Sequence, residues 1–211
     1  MIRYYSNIVG KYGSPVQKAL GKLQDVNISV IASTHGPVWT DPKYIERVVS
    51  IYNDLSLYNT KEGVVIIYGT MYGNTQLMAE AIAAELAEQG IKEIIIHNAN
   101  ISDPSYIIAD VFKYKGLIVG SPTYNGQLYP KIEAIISDIL LRDIKNRYLG
   151  YFGSSSWAGV SVKRLGDFAT KSKFEIIADA VDMKHSMKEI NYEQCINLAR
   201  GMANRLKKDR A

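Results

Sequence analysis

From Val64 onward the chain alternates short apolar runs with amphipathic stretches of helical period. Val64–Tyr68 is short and β-rich and reads as a buried strand. Met78, Ile82 and Leu86 then recur at four-residue steps beside Ala79 and Ala83, with Gly90 as a stop, which predicts a helix of about 15 residues. Glu93–His97 reads as a second strand, and Pro104–Phe112 as a helix with Asp103 at its N-cap. Leu117–Gly120 is the third strand. The helix after it is marked by Ile132, Ile135, Ile136, Ile139 and Leu140, with Pro130 suited to its first turn. Tyr148–Gly153 reads as the fourth strand, Val160–Thr170 as a helix and Glu175–Val181 as the fifth strand. Asn191 is placed to cap a last helix whose apolar face is Cys195, Leu198, Ala199, Met202 and Leu206. Five strands alternating with five helices predict an α/β fold, a five-stranded parallel sheet with helices on both faces. In such open sheets ligands bind beyond the carboxyl ends of the strands.

Residues 1–60 read differently. Ile28–Ile31 is a short strand, and Asp41 and Pro42 open a helix with Ile45, Val48, Val49, Tyr52 and Leu55 on one face. The polar stretch Asn59, Thr60, Lys61, Glu62, Gly63 separates this N-terminal α/β arm, 1–60, from the main domain, 61–211. The arm is too small to close a core alone. It is expected to be the tail of a larger domain or a partner-dependent segment, and to drive self-association unless it refolds compactly.

Composition narrows the class. The 211 residues are 47% hydrophobic and 22% charged, which is ordinary globular usage and argues against disorder or a fibrous repeat. Twenty-five Lys and Arg against 21 Asp and Glu give +4, too small an excess to argue a nucleic-acid partner. The one cysteine excludes an intramolecular disulfide framework and multi-cysteine zinc or iron–sulfur sites. No apolar run approaches the roughly 20 residues of a membrane span. The first residues lack the apolar core of a signal peptide, so a cytoplasmic protein without a membrane partner is expected.

Candidate chemistry lies directly after three strands. The first ends in Gly69-Thr70-Met71-Tyr72-Gly73-Asn74-Thr75, with a helix at once behind it. Backbone amides converge in such a turn and the helix dipole favours an anion, so the segment reads as a phosphate cradle whose donors are Thr70, Asn74 and Thr75. The alternative is a tight strand-to-helix turn that merely uses Gly and Thr. It has no Lys and is neither G-x-x-x-x-G-K-[ST] nor G-x-G-x-x-G. The third strand ends in Ser121-Pro122-Thr123-Tyr124-Asn125-Gly126, a loop fixed by Pro122 and the turn-forming pair Asn125-Gly126. The fourth ends in Ser154-Ser155-Ser156-Trp157-Ala158-Gly159. Taken singly, Tyr124 reads as a rim aromatic and Trp157 as a core plug. Together the three loops describe a pocket for a flat conjugated ligand with a phosphate tail.

Thr70-Met71-Tyr72-Gly73-Asn74-Thr75 resembles the FMN phosphate loop of flavodoxins. With Met-Tyr-Gly-Asn-Thr it is similar to the flavodoxin domain of flavodiiron proteins, the A-type flavoproteins that reduce oxygen or nitric oxide. Ser121–Gly126 resembles that family's second flavin loop. Ser154–Gly159 resembles its third, G-S-Y-G-W-S-G, with Ser155 in place of Tyr, Ser156 of Gly and Ala158 of Ser, and with Trp157 kept. The resemblance covers residues 64–207. It implies a flavodoxin-like fold and an FMN whose ring is gripped by the second and third loops, with Trp157 against it. It further implies a head-to-tail homo-oligomer.

Ala32–Trp39 resembles the end of the metallo-β-lactamase-like domain that precedes flavodoxin in that family, where the residue matching His35 is an iron ligand. The chain has only His35, His97 and His185, and a diiron site needs about six or seven His and carboxylate ligands. No metal site is therefore expected in this chain alone, and residues 1–60 read as a remnant of that domain. Cys195 is expected to be a packed thiol, and no acid–base or nucleophile pair appears in the loops. The expected function is FMN electron transfer, fed by a reductase or a rubredoxin-like donor. The alternative is a non-catalytic FMN-binding or interaction subunit that docks on a separate metallo-β-lactamase-like partner. A flavodoxin-like quinone reductase would need a nicotinamide site, and no motif for one is present.

Overall fold

The structure, a computed structural model, describes residues 1–210. The arm begins with α1 (Ile2–Tyr4), which passes through a π turn at Tyr5–Val9 and a 3-10 turn at Gly10–Tyr12 into α2 (Gly13–Lys22). Two short strands, β1 (Ile31–Ala32) and β2 (Val38–Trp39), pair antiparallel with Ile31 opposite Trp39. The strand expected at Ile28–Ile31 thus forms later. Ile28, Ser29 and Val30 instead line an apolar groove and have no ladder partner among the described residues. The helix α3 (Pro42–Ser56) starts as expected, with the Asp41 carboxylate accepting from the Lys43 amide and Pro42 in the first turn.

The main domain comprises β3 (Lys61–Tyr68), α4 (Asn74–Glu88), β4 (Ile94–Asn98), α5 (Pro104–Lys113) and β5 (Tyr114–Tyr124). It continues with β6 (Gln127–Leu128), α6 (Pro130–Leu141), β7 (Tyr148–Ser155), α7 (Ser161–Ser172), β8 (Glu175–Ile176), β9 (Val181–Lys184) and α8 (Glu189–Lys208). The strands are parallel in the order β4-β3-β5-β7, with β8 and β9 sharing the far edge. Alternation along β3 divides the core. Val65 and Ile67 join Leu117, Val119 and Leu149 on one face, under residues of α5, α6 and α7. Val64, Ile66 and Tyr68 join Ile118 and Phe152 on the other, under α4 and α8.

Three expected elements are redrawn. The third strand runs to Tyr124 because parallel pairing continues to Pro122 opposite Ser154. Asn125 and Gly126, at φ 49° and 71°, then make the hairpin that returns β6 against β5. The fifth strand is split. Glu175–Ile176 pairs with the start of β7 and Val181–Lys184 with its end, while 177–180 leaves the ladder. There Ala178 lies against Gly201 of α8, where a Cβ would meet it at 3.0 Å. The last helix starts before Asn191, which sits at the third position and accepts from the Lys188 amide. Cys195 is fully buried, and burial pushes its thiol up to about 11, so it packs as the sequence expects.

The arm is seated on the main domain. Tyr5, fully buried, meets Tyr52 and Phe112 edge-on at 5.2 and 6.3 Å, and Tyr58 stacks on Phe112 at 6.1 Å. Beneath this contact lies Arg147, 2% exposed. Its guanidinium donates to the carbonyls of Val111 and Phe112 at 2.7 Å, of Lys145 at 2.5 Å and of Tyr58 at 3.3 Å.

α4 and α8 are joined by a polar clasp. Glu85 accepts from Arg200 Nε at 2.7 Å and from Gln89 Nε2 at 2.8 Å, and these bonds, Arg200 first, hold its carboxyl below the usual range. A depressed carboxyl stabilises the fold above its unfolded pKa of about 4.3 and loses that contribution as pH falls through the folded value. Glu85→Gln is therefore expected to flatten the fall of the thermal midpoint below about pH 4.3. Parallel wild-type and variant acid curves would refute the clasp.

Candidate functional site

The three loops meet at the carboxyl ends of β3, β5 and β7, where a parallel sheet of this kind binds ligands. Gly120 sets the spacing of the strand ends, because a Cβ there would lie 2.1 Å from the Phe152 ring. The first loop is the strand-to-helix turn. Gly73 takes φ 86° as the N-cap of α4, and its amide donates to Thr70 Oγ1 at 3.0 Å. The Thr70 hydroxyl hydrogen is left free to donate. The first bond of the helix runs from the Leu77 amide to the Gly73 carbonyl, so the amides of Asn74, Thr75 and Gln76 have no backbone partner. Asn100 fixes the loop from outside, donating to the Thr70 carbonyl at 2.9 Å and accepting from the Thr70 amide at 3.3 Å.

Hydroxyls tie the loops together. Thr75 Oγ1 and Ser154 Oγ are 2.8 Å apart and buried. Thr123 Oγ1 accepts from the amides of Val160 at 3.1 Å and Ser161 at 3.2 Å. Ser121 Oγ accepts from the Tyr129 amide at 3.0 Å.

The loops enclose a cavity of about 690 Å³, within the size range of cofactor sites. Of the residues expected at the site, Thr70, Met71, Tyr72, Asn74 and Thr75 line it from the first loop. Pro122, Thr123, Tyr124, Asn125 and Gly126 line it from the second, and Ser154, Ser155, Ser156, Trp157 and Ala158 from the third. Gly73, Ser121 and Gly159 stand behind the wall. Gly73 shapes the cap, Ser121 is fully buried, and Gly159 packs where a Cβ would meet Ser155 Oγ at 3.0 Å. Trp157 is 88% exposed and Tyr72 86%. The core plug expected of Trp157 taken alone is thus overturned: the tip of the third loop has nothing beneath it to cover the indole.

Sequence reasoning missed two lining residues, Val160 and His185. The His185 amide donates to the Ser155 carbonyl at 2.8 Å and its φ is 68°. The missed signal is the split strand: once the edge strand ends at Lys184, His185 is the next residue at the ligand rim. His97 has Nε2 2.9 Å from Asp110 Oδ2, away from the cavity. His35 lies beside Tyr4 at 5.5 Å in the arm groove. No group of three or more His, Cys, Asp or Glu able to hold a metal occurs among the described residues.

Chemically, the cavity offers open amides at a helix N-terminus, neutral hydroxyl and amide donors, and two large uncovered aromatic faces. No lysine, arginine or carboxylate lines it. This donor set matches a phosphate tail on a planar conjugated ring.

The flavodoxin family profile matches residues 66–198, and the chain belongs to that family. FMN is the cofactor of flavodoxin domains, and the residues present fit it. An anaerobic nitric oxide reductase flavorubredoxin of Escherichia coli is 32% identical over 177 residues, 82% of this chain and 36% of that protein. The structure of rubredoxin oxygen:oxidoreductase from Desulfovibrio gigas superposes on all of this chain and 53% of its own, with a TM-score of 0.94 at 27% identity. The flavodiiron protein of Giardia intestinalis shares the fold, with a TM-score of 0.88 at 22% identity over 98% of this chain and 51% of its own. The chain thus spans about half or less of the length of the relatives it matches. No described helix is long and apolar enough to cross a membrane.

Proposed function

We propose that the chain is the electron-transfer half of a flavodiiron-type system, holding FMN in the three-loop cavity. The observation that carries this reading is the pairing, in one cavity, of open amides at the α4 N-terminus with the uncovered indole of Trp157. FMN supplies the redox chemistry; the protein supplies binding and electrostatics. The amides of Asn74, Thr75 and Gln76 and the hydroxyl of Thr70 take the phosphate. Trp157 and Tyr124 would flank the ring, and the Ser154–Gly159 backbone would hydrogen-bond its polar edge. The Thr75–Ser154 and Thr123–Val160 bonds hold the loops at fixed spacing, so little reorganisation accompanies a change in ring charge.

The names of the relatives point to a rubredoxin-like electron donor, and a reductase serves the same chemistry. The protein should be yellow as purified or after mixing with FMN, and dithionite should bleach it reversibly in air. A protein that binds no FMN would end this reading. Trp157→Ala is expected to weaken FMN about 30-fold, since stacking on an aromatic face is worth about 2 kcal/mol. Trp157→Phe should recover most of the loss in the same flavin-fluorescence titration.

A second reading is favoured by the arm. Residues 1–60, which we take as a remnant of a metallo-β-lactamase-like domain, carry an apolar groove of about 880 Å³ lined by Leu20, Leu23, Val26, Val30, Trp39 and Tyr52. A docking subunit would use this groove on a separate metallo-β-lactamase-like chain or on a second copy of itself. FMN that cannot be reduced and reoxidised, together with a stable complex in light scattering, would favour it over electron transfer.

A further inference from the structure

His185 lines the cavity from outside the three loops, as does Val160. Among the lining residues His185 alone has a side chain of a type that ordinarily titrates between pH 5 and 8. Its position is built rather than incidental. β9 runs beside β7 up to Lys184 opposite Ser155, and the next amide, that of His185, bonds to the Ser155 carbonyl at 2.8 Å. The residue is thereby held in the left-handed region, at φ 68°. Among the described residues no side-chain hydrogen bond engages its imidazole, in contrast to His97 on Asp110.

We propose that His185 is the proton-coupled countercharge of the cavity: its imidazole takes up a proton when the flavin bound there is reduced. This inference rests on the FMN reading above. Where N1 of the reduced ring stays deprotonated, two-electron reduction by an external donor such as dithionite places two electrons and one proton on the ring, so the cavity becomes more negative by one charge. No lysine or arginine lines the cavity to offset that charge. Neutral His185 offsets it by taking a second proton from solvent, giving two protons for two electrons. Where His185 is already an imidazolium, one proton suffices.

The ionisable groups around it are few. Its own segment contributes Asp182, Lys184, Lys188 and Glu189, with the Asp182 carboxylate turned under Gly159, 3.5 Å from where a Cβ would stand. The first and second loops contribute the phenols of Tyr72 and Tyr124, and Ser154–Gly159 contributes none. These groups, and the FMN phosphate, are present in both redox states and do not change the sign of the difference.

The test is a potentiometric titration of the full chain loaded with FMN, across pH 5 to 9, for wild type and His185→Asn. Asn tolerates the left-handed backbone that His185 adopts. In wild type, between the imidazole pKa values of the oxidised and reduced forms, the reduction equilibrium should change a hundredfold per pH unit. Outside that window it should change tenfold. For a two-electron couple these factors are about 60 and about 30 mV per unit. His185→Asn should lose the break assigned to the imidazole and keep only one set by N1 of the reduced ring, while His97→Gln keeps both. Imidazole NMR on the wild-type holoprotein is a second readout, and the His185 resonance should titrate differently in the two redox states. If FMN binds but the slopes of wild type and His185→Asn coincide, or the His185 resonance titrates identically in both states, the countercharge role is wrong and the FMN site stands. If FMN does not bind, both fall.

Discussion

FMN is expected to bind about 100-fold or more tightly than riboflavin, which shares the ring and lacks the phosphate. The amides of Asn74, Thr75 and Gln76 point out of the first turn of a 15-residue helix with no internal acceptor. Each hydrogen bond to a charged group is worth about 1.5–3 kcal/mol. Two lost on removing the phosphate cost about 3 kcal/mol, a little over a factor of 100. The helix dipole acts in the same direction. Because no cation lines the cavity, this preference should weaken only modestly with salt, unlike a site built from exposed lysines. Titration of apoprotein by quenching of flavin fluorescence gives both constants. Equal affinities would place the phosphate elsewhere and remove the cradle.

The second large effect concerns stability. Arg147→Met is expected to cost about 3–5 kcal/mol, because several buried backbone carbonyls lose their donor at about 1–3 kcal/mol each. That lowers the thermal midpoint by about 6–20 °C for a chain of this size. Among the described residues no carboxylate pairs with the guanidinium. Burial pushes its pKa down to about 9, with the Tyr58 phenol as the smaller opposing influence. The charge is tolerated because carbonyls of Val111, Phe112, Lys145 and Tyr58 surround it. Methionine fills much of the space and satisfies none of them, and unsatisfied buried acceptors cost about 1–3 kcal/mol each. Tyr58 belongs to the arm and the other three to the main domain, so proteolysis should also open near Tyr58–Lys61 first. A midpoint within about 1 °C of wild type would show that water replaces the guanidinium without loss.

Most of the sheet was legible because its signals are local. Val64–Tyr68 and Tyr148–Gly153 are continuous apolar runs, as strands buried on both faces must be. Asp103 and Asp41 announce their helices by chemistry that needs no tertiary context. The three loops were legible for a similar reason: each follows a strand directly, and fold topology alone brings them to one rim. What escaped the sequence depends on distant partners. At the break at 177–180, Ala178 and the Ile177 carbonyl pack closely on Gly201 of α8. The far edge strand was therefore misplaced and His185 overlooked. The exposure of Trp157 could not be read from its residue type, which is more often buried. Nothing local in the sequence marks Arg147 as buried; its burial is explained by the backbone carbonyls that converge on it. The arm was expected to be unfinished, but its contact with Phe112 could not be seen in a segment with so little regular pattern.

That contact has a consequence for anyone trimming the gene. Lys61 is an attractive place to begin a shorter product, since the first strand starts there and the flavin rim lies about 25 Å away at its other end. Such a product would lose the tyrosines that roof Phe112 and would bare a greasy scar over the Arg147 carbonyl cage. Yield and solubility, rather than colour, would be the first casualties of the cut.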